Sequence, residues 1–152
     1  MLQPVQSPTG SRPLQIAVAD VDGDGRSDLL RLLAGGLIEL WRNAAEGPLR
    51  QSEIFRAPIE LTRFAVTDLD LDGRPDIVAL AGSTASLYVL RNPTRQGSVD
   101  RPFTLVSTLS VGPASSAPVA VVASDFDGDG LPDVAVARSG DNSIAFWNNR
   151  SL

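Results

Sequence analysis

Asp20-Val21-Asp22-Gly23-Asp24-Gly25-Arg26-Ser27-Asp28 is an acidic phrase that the chain states three times. It returns as Asp68-Leu69-Asp70-Leu71-Asp72-Gly73-Arg74-Pro75-Asp76 and as Asp125-Phe126-Asp127-Gly128-Asp129-Gly130-Leu131-Pro132-Asp133. The shared pattern is D-x-D-x-D-G-x-x-D, each time with an apolar run before it and another after it. Four carboxylates packed so closely repel one another and do not fold unaided. A hard cation in their midst removes the repulsion, and Ca²⁺ takes about six to eight oxygen ligands at roughly 2.3–2.6 Å.

By geometry, side chains one, three, five and nine of the phrase supply carboxylates and residue seven its backbone carbonyl. The expected ligands are therefore Asp20, Asp22, Asp24, Asp28 and the Arg26 backbone in the first loop. In the second they are Asp68, Asp70, Asp72, Asp76 and the Arg74 backbone. In the third they are Asp125, Asp127, Asp129, Asp133 and the Leu131 backbone. Gly25, Gly73 and Gly130 are expected to take the sharp turn that only glycine takes freely.

An EF-hand loop opens in the same way, but it needs a bidentate Glu at position twelve and a helix on each side. Position twelve here is Arg31, Ala79 or Val136, and the flanks read as strands. A plain solvated turn is the bland rival, since Asp and Gly favour turns anyway. One match would be ambiguous, whereas three full matches in register point to a metal. Mg²⁺ suits the loops less well, because it demands stricter octahedral geometry and keeps its waters. Three Ca²⁺ sites are expected.

Internal repetition decides the fold, and the loops recur at spacings of 48 and 57 residues. Each lies within a longer repeated sentence. Unit one has an apolar run at 14–19 before its loop, then Leu29–Leu33, then Leu37–Trp41 ending in Arg42-Asn43, then a more polar run at 50–56. Unit two repeats this with Phe64–Val66, Ile77–Leu80, Leu87–Leu90 ending in Arg91-Asn92, and Phe103–Leu109. Unit three has Val119–Ala123, Val134–Val136 and Ile144–Trp147 ending in Asn148-Asn149, and then stops. Short Val/Ile/Leu runs parted by Gly, Asn, Pro and Ser are strands and turns. Four antiparallel strands per unit, graded from buried to exposed, describe a β-propeller-type blade. The expected fold is all-β: one repeat domain over 1–152, with blades at about 13–57, 62–111 and 117–150, the last one incomplete.

Composition narrows the function. Twelve of the fourteen aspartates lie in the three loops, so the formal net charge of −5 belongs to the metal sites and three Ca²⁺ ions would bring it to +1. All thirteen basic residues are arginines spread singly along the chain, which leaves no basic stripe for nucleic acid. No cysteine is present, so neither a disulfide framework nor thiol chemistry is expected. No run reaches the ~18 apolar residues of a membrane span. His, Cys and Lys are all absent, which removes the commonest general base, thiol nucleophile and Schiff-base amine. Glu39, Glu46, Glu53, Glu60, Asp100 and Asp141 are the only acids outside the loops, and their scatter does not suggest a two-carboxylate glycosidase. No enzyme is expected.

These phrases and their flanks resemble the FG-GAP/VCBS repeat family, the calcium-loop blades of the integrin alpha-subunit head, many bacterial extracellular proteins and some lectins. The resemblance runs from about Leu14 to Asn149 and is most specific over Asp125–Asp133 and the eleven residues after it, Val134 to Ile144. Leu71 stands where the family has a small residue and Ser27 where it has proline; the Gly-Ala-Pro segment of the integrin type is absent, so the bacterial style fits better. The resemblance implies structural Ca²⁺ and an extracellular or periplasmic location, although the first residues from Met1 to Pro8 have neither the charged nor the apolar part of a signal peptide.

Three blades do not close a ring that typically needs four to eight. Self-association, most simply as a six-bladed dimer, or further blades of a longer propeller are the expected partners. The function expected is a calcium-stabilised binding, adhesion or assembly module for a protein or glycan ligand. The alternative is a lectin with sugar pockets between blades. Residues 1–12 are a candidate outer strand for the last blade, and 94–101 or 112–118 hold the extra length of the second spacing as an ordinary surface insertion. Trp41, Leu90 and Trp147 share one place in their units and read as filler between blades rather than as sugar platforms; Asn43, Asn92 and Asn149 read as strand ends in a left-handed turn.

Overall fold

A computed structural model of the chain describes residues 10–43, 45, 50–93 and 103–150, without the side chains of 50–54. Those residues form eleven strands, two single turns of 3-10 helix and no α-helix. The first sheet holds β1 (Pro13–Ala19), β2 (Asp28–Leu33), β3 (Leu37–Arg42) and β4 (Arg50–Arg56) in that order. The second holds β5 (Arg63–Thr67), β6 (Asp76–Ala81), β7 (Ser86–Arg91) and β8 (Thr104–Ser110). The third is shorter: β9 (Pro118–Ser124), β10 (Asp133–Arg138) and β11 (Ser143–Trp147). Every neighbouring pair is antiparallel, so each sheet is a simple meander and none closes into a barrel.

The sheets stack in chain order, and sequence explains the stacking. Successive residues of a strand face opposite sides. In β6 all six residues are buried, because both sides are covered. Ile77, Ala79 and Ala81 turn toward the first sheet, where they join Leu30, Leu32, Ile38 and Leu40 in one apolar cluster. Val78 and Leu80 turn the other way and join Val121, Val134 and Val136 of the third sheet in a second cluster. A one-residue slip of β6 would exchange the two sets, so the register is fixed from both sides. Each fully buried Leu or Ile stabilises by about 1.5–3 kcal/mol relative to exposure. The outer strand β8 is mostly exposed, as its mixed sequence requires.

The two ends of the stack differ from its middle. On the outer side of the first sheet Ile16 is 62% exposed and Val18 63% exposed. Beside them Arg31 and Glu39 are buried as an ion pair, and the Arg31 guanidinium lies 4.4 Å from the centre of the Trp41 ring. On the outer side of the third sheet Val122, Ile144 and Phe146 are exposed. They line an apolar groove of about 280 Å³ together with Ala120, Phe126, Ala135 and Ala137.

The suggested outer strand within 1–12 lies outside the described residues as far as residue 9, while Gly10 to Arg12 lead into β1, with the Ala34 amide donating to the Arg12 carbonyl at 2.9 Å. The stretch 94–101 lies outside them too. The other candidate insertion, 112–118, contains a 3-10 turn at Ala114–Ser116. Its Ser116 and Ala117 carbonyls accept from the amides of Gly140 at 2.9 Å and Ser139 at 3.1 Å, so this stretch braces the β10–β11 hairpin. Among the described residues no helix is long and apolar enough to cross a membrane.

Candidate metal centres

Each acidic phrase is the loop between the first two strands of its sheet. Gly25, Gly73 and Gly130 have φ of 84°, 84° and 88°, the left-handed region expected of them. The backbone then curls around the first carboxylate. Asp20 accepts from the amides of Gly23 (2.8 Å), Asp24 (3.1 Å) and Gly25 (2.8 Å). Asp68 accepts from Asp72 (3.0 Å) and Gly73 (2.8 Å), and Asp125 from Gly128 (2.7 Å) and Gly130 (2.9 Å). Leu71, with φ of 58°, takes the position that glycine fills in the other two loops, where Gly23 and Gly128 also have positive φ.

The ninth residue clamps the loop to the sheet. Asp28 accepts from the Val21 amide at 3.0 Å and the Asn43 amide at 2.9 Å. Asp76 accepts from Leu69 at 3.2 Å and Asn92 at 2.9 Å, and Asp133 from Phe126 at 3.0 Å and Asn149 at 2.8 Å. Asp28, Asp76 and Asp133 are all buried, yet their acidities diverge. Desolvation pushes the carboxyls of Asp28 and Asp76 up. Asp133 is instead held down by the hydrogen bonds from Asn149 and Phe126. The first two lie at joints where a further sheet adds low-dielectric mass; no sheet of the described residues covers the third.

Carboxylate oxygens of positions one, three and nine converge within 4.8 Å in each loop: Asp20, Asp22 and Asp28; Asp68, Asp70 and Asp76; Asp125, Asp127 and Asp133. An all-oxygen cluster of formal charge −3 is chemistry that fits a hard divalent cation. Position five lies outside these triads. The Asp24 carboxylate takes the Arg26 guanidinium at 2.8 Å, and its acidity is raised first by the Arg26 amide. Asp72 is bonded to Arg74 in the same way. Residue seven appears through its amide: Arg26, Arg74 and Leu131 each donate N–H to Asp24, Asp72 and Asp129 at 2.9 Å.

Two sets of residues near the sites were not assigned these roles from sequence. Arg42 and Arg91 end their third strands and Asn148 directly follows β11, and each reaches the position-three carboxylate of its own loop. Arg42 lies 4.0 Å from Asp22, Arg91 pairs with Asp70 and also with Asp76 at 2.9 Å, and Asn148 donates to Asp127 at 3.0 Å. The next residue is always asparagine. Asn43, Asn92 and Asn149 are not left-handed, contrary to the strand-end expectation, because their backbone amides are bound to the ninth aspartates. The side chains of two of them cross to the sheet before. Asn92 Nδ2 donates to the Val21 carbonyl at 2.9 Å, and Asn149 Nδ2 to the Leu69 carbonyl at 2.7 Å. The repeated Arg/Asn-Asn pair was visible in sequence; that its second member reaches a neighbouring unit was not.

Leu90 is fully buried in the first joint and Trp147 packs against the second, which agrees with their reading as filler between sheets. Of the acids outside the loops, Glu39 is engaged with Arg31 and Asp141 with Arg138 (3.0 Å) and Ser143 (2.6 Å).

Hairpin loops that gather carboxylates at one edge of stacked antiparallel meanders define a class of acidic-loop repeat. Residues 68–136, from the first aspartate of the second loop into β10, match the family model described as FG-GAP-like repeat. The match is consistent with a repeat of the FG-GAP type over that stretch. No curated protein matches the chain.

Proposed function

We propose that the chain is a non-catalytic, calcium-stabilised binding and assembly module made of β-propeller-type blades. Three Ca²⁺ ions are held by the loops at Asp20–Asp28, Asp68–Asp76 and Asp125–Asp133. The observation that carries this reading is the convergence of positions one, three and nine in all three loops. Position five and the carbonyl of position seven complete the ligand set when the loop tightens on the ion. Blade limits of about 13–57, 62–111 and 117–150 go with this reading, as does work outside the cell, where calcium suffices for sites of about 10⁻⁴–10⁻³ M affinity. The partners are other blades, from a second copy or from a longer protein, and a protein ligand on the ring so formed.

At tenfold excess over Kd each ion adds roughly 1.4 kcal/mol to stability. Calcium is therefore expected to raise Tm in a saturable way, and Asp28→Asn, Asp76→Asn and Asp133→Asn each to remove part of that rise. A chelator that leaves Tm unmoved overturns the reading. A lectin is the second reading. It is favoured by a groove of about 220 Å³ between the second and third sheets, lined by Trp147, Arg91 and Asn148 among others. Glycan-array binding that is lost in Trp147→Ala would select it.

A further inference from the structure

The two outer faces of the stack carry the separate halves of one joint. Inside the molecule that joint is made twice, and its parts are the same each time. The second residue of a loop is buried against the next sheet, as Val21 and Leu69 are at 1% and 7% exposure. Its carbonyl accepts the side-chain amide of the asparagine that ends the next sheet's third strand: Asn92 to Val21, Asn149 to Leu69. From the innermost strand of each sheet, Ala17 packs against the cluster that holds Phe64 at the first joint, and Ala65 against the cluster that holds Val121 at the second.

Continuing the series past either end finds every part present, with no further sheet among the described residues to meet it. On the third sheet the loop's second residue is Phe126, 49% exposed. The counterpart of Ala17 and Ala65 is Val122, 55% exposed. On the first sheet the counterpart of Phe64 and Val121 is Ile16, 62% exposed, and the counterpart of the latching asparagines is Asn43, also exposed. Trp41 stands where Leu90 and Trp147 fill the internal joints. The faces also complement one another in size. The third sheet presents the small Ala135 and Ala137 in an apolar groove, and the first presents Leu29, Trp41 and Val18 side by side.

We propose that the partner on these faces is a second copy of this chain, joined head to tail. The outer face of its first sheet seats on the outer face of the third, and the partner copy's Asn43 side chain donates to the Phe126 carbonyl. The proposal rests on the blade reading above and names its partner. A heterologous contact of this kind closes into a ring when the rotation permits, and two copies complete six blades at two new joints. The acceptor carbonyl lies between Asp125 and Asp127, so a cation that orders this loop also orders the latch, and the joint forms with calcium.

Solution mass and a complementation pair test the proposal. In millimolar Ca²⁺ the chain is expected at twice its 16.0 kDa protomer mass by sedimentation or light scattering, and at protomer mass in chelator. Ile16→Arg blocks only the head and Val122→Glu only the tail, and both side chains are exposed, so each variant keeps its calcium-dependent melting. Each variant alone is expected to be a monomer. An equimolar mixture is expected to regain the two-copy mass, with one native joint and one that sets Arg against Glu. Asn43→Ala is expected to weaken the dimer at least about fivefold without changing the protomer fold. A folded wild-type monomer with calcium-dependent melting overturns the second copy as partner and leaves the calcium reading standing. A dimer that survives either blocked face, or a mixture that fails to reassociate, overturns the head-to-tail joint. A chain that neither melts with calcium dependence nor associates sinks both readings.

Discussion

Val21 and Phe126 hold the same place in their loops, yet one is 1% exposed and the other 49%. Their immediate surroundings in sequence are nearly alike: an aspartate on each side, a glycine at the next position, a strand before and after. What separates them is whether another sheet follows. The same contrast divides Asp76 from Asp133, whose acidities move in opposite directions although both are clamped by two backbone amides. A repeat unit therefore does not specify its own environment. It specifies one face to give and one to receive, and burial follows from the neighbour.

The largest test of this contrast is removal of calcium. Three sites at tenfold excess over Kd stabilise by about 4 kcal/mol together, a large share of a typical total of about 5–15 kcal/mol. Chelation is expected to lower Tm strongly. Hydrogen exchange is expected to rise first at 125–133, where no sheet of the described residues covers the loop, and later at 20–28. Equal rise in the two loops would erase the distinction between end and middle.

Side-chain truncation sharpens the same comparison. Leu32→Ala, at the first joint, is expected to cost about 3 kcal/mol in denaturant unfolding, the usual range for a fully buried leucine. Ile144→Ala, at the corresponding level of the free face, is expected to change protomer stability by less than about 0.5 kcal/mol. The latch gives the next smaller effect. Asn92→Ala leaves the Val21 carbonyl buried and unpaired, at a cost of about 1–3 kcal/mol, while Asn43→Ala is expected to leave protomer stability unchanged. Similar losses for the two asparagines would show that the latch is local to its strand.

The smallest effect is a gain. Leu71 holds φ of 58° where the other loops have glycine. A side chain in that region is disfavoured by roughly 1–2 kcal/mol, partly offset by the added chain entropy of glycine when unfolded. Leu71→Gly is expected to raise stability by about 0.5–1 kcal/mol, measured by the shift in denaturant midpoint at constant slope. A loss would mean that the exposed leucine makes contacts worth more than the strain.

Much of this was legible from residues. The short, nearly unbroken apolar runs at Leu29–Leu33 and Ile77–Leu80 located the central strands, and the three acidic phrases located the hairpins they join. Turn glycines at 25, 73 and 130 follow from the left-handed backbone such loops need. Other features were not legible because they depend on partners distant in sequence. Nothing local to Asn92 says that its side chain bonds Val21, since the left-handed strand end is an equally ordinary role for asparagine. Nothing local to Asp24 or Asp72 says that the arginine two residues on turns back to it.

The sequence by itself determined the repeat, the strand order within each sheet and the placement of carboxylates at one edge, because these depend on side-chain period and turn chemistry within a few residues. Only the tertiary structure decided which copies of a repeated residue are covered and which are bare. Burial is a property of the neighbour that a face meets, and three nearly equivalent units leave two faces that meet no other sheet among the described residues.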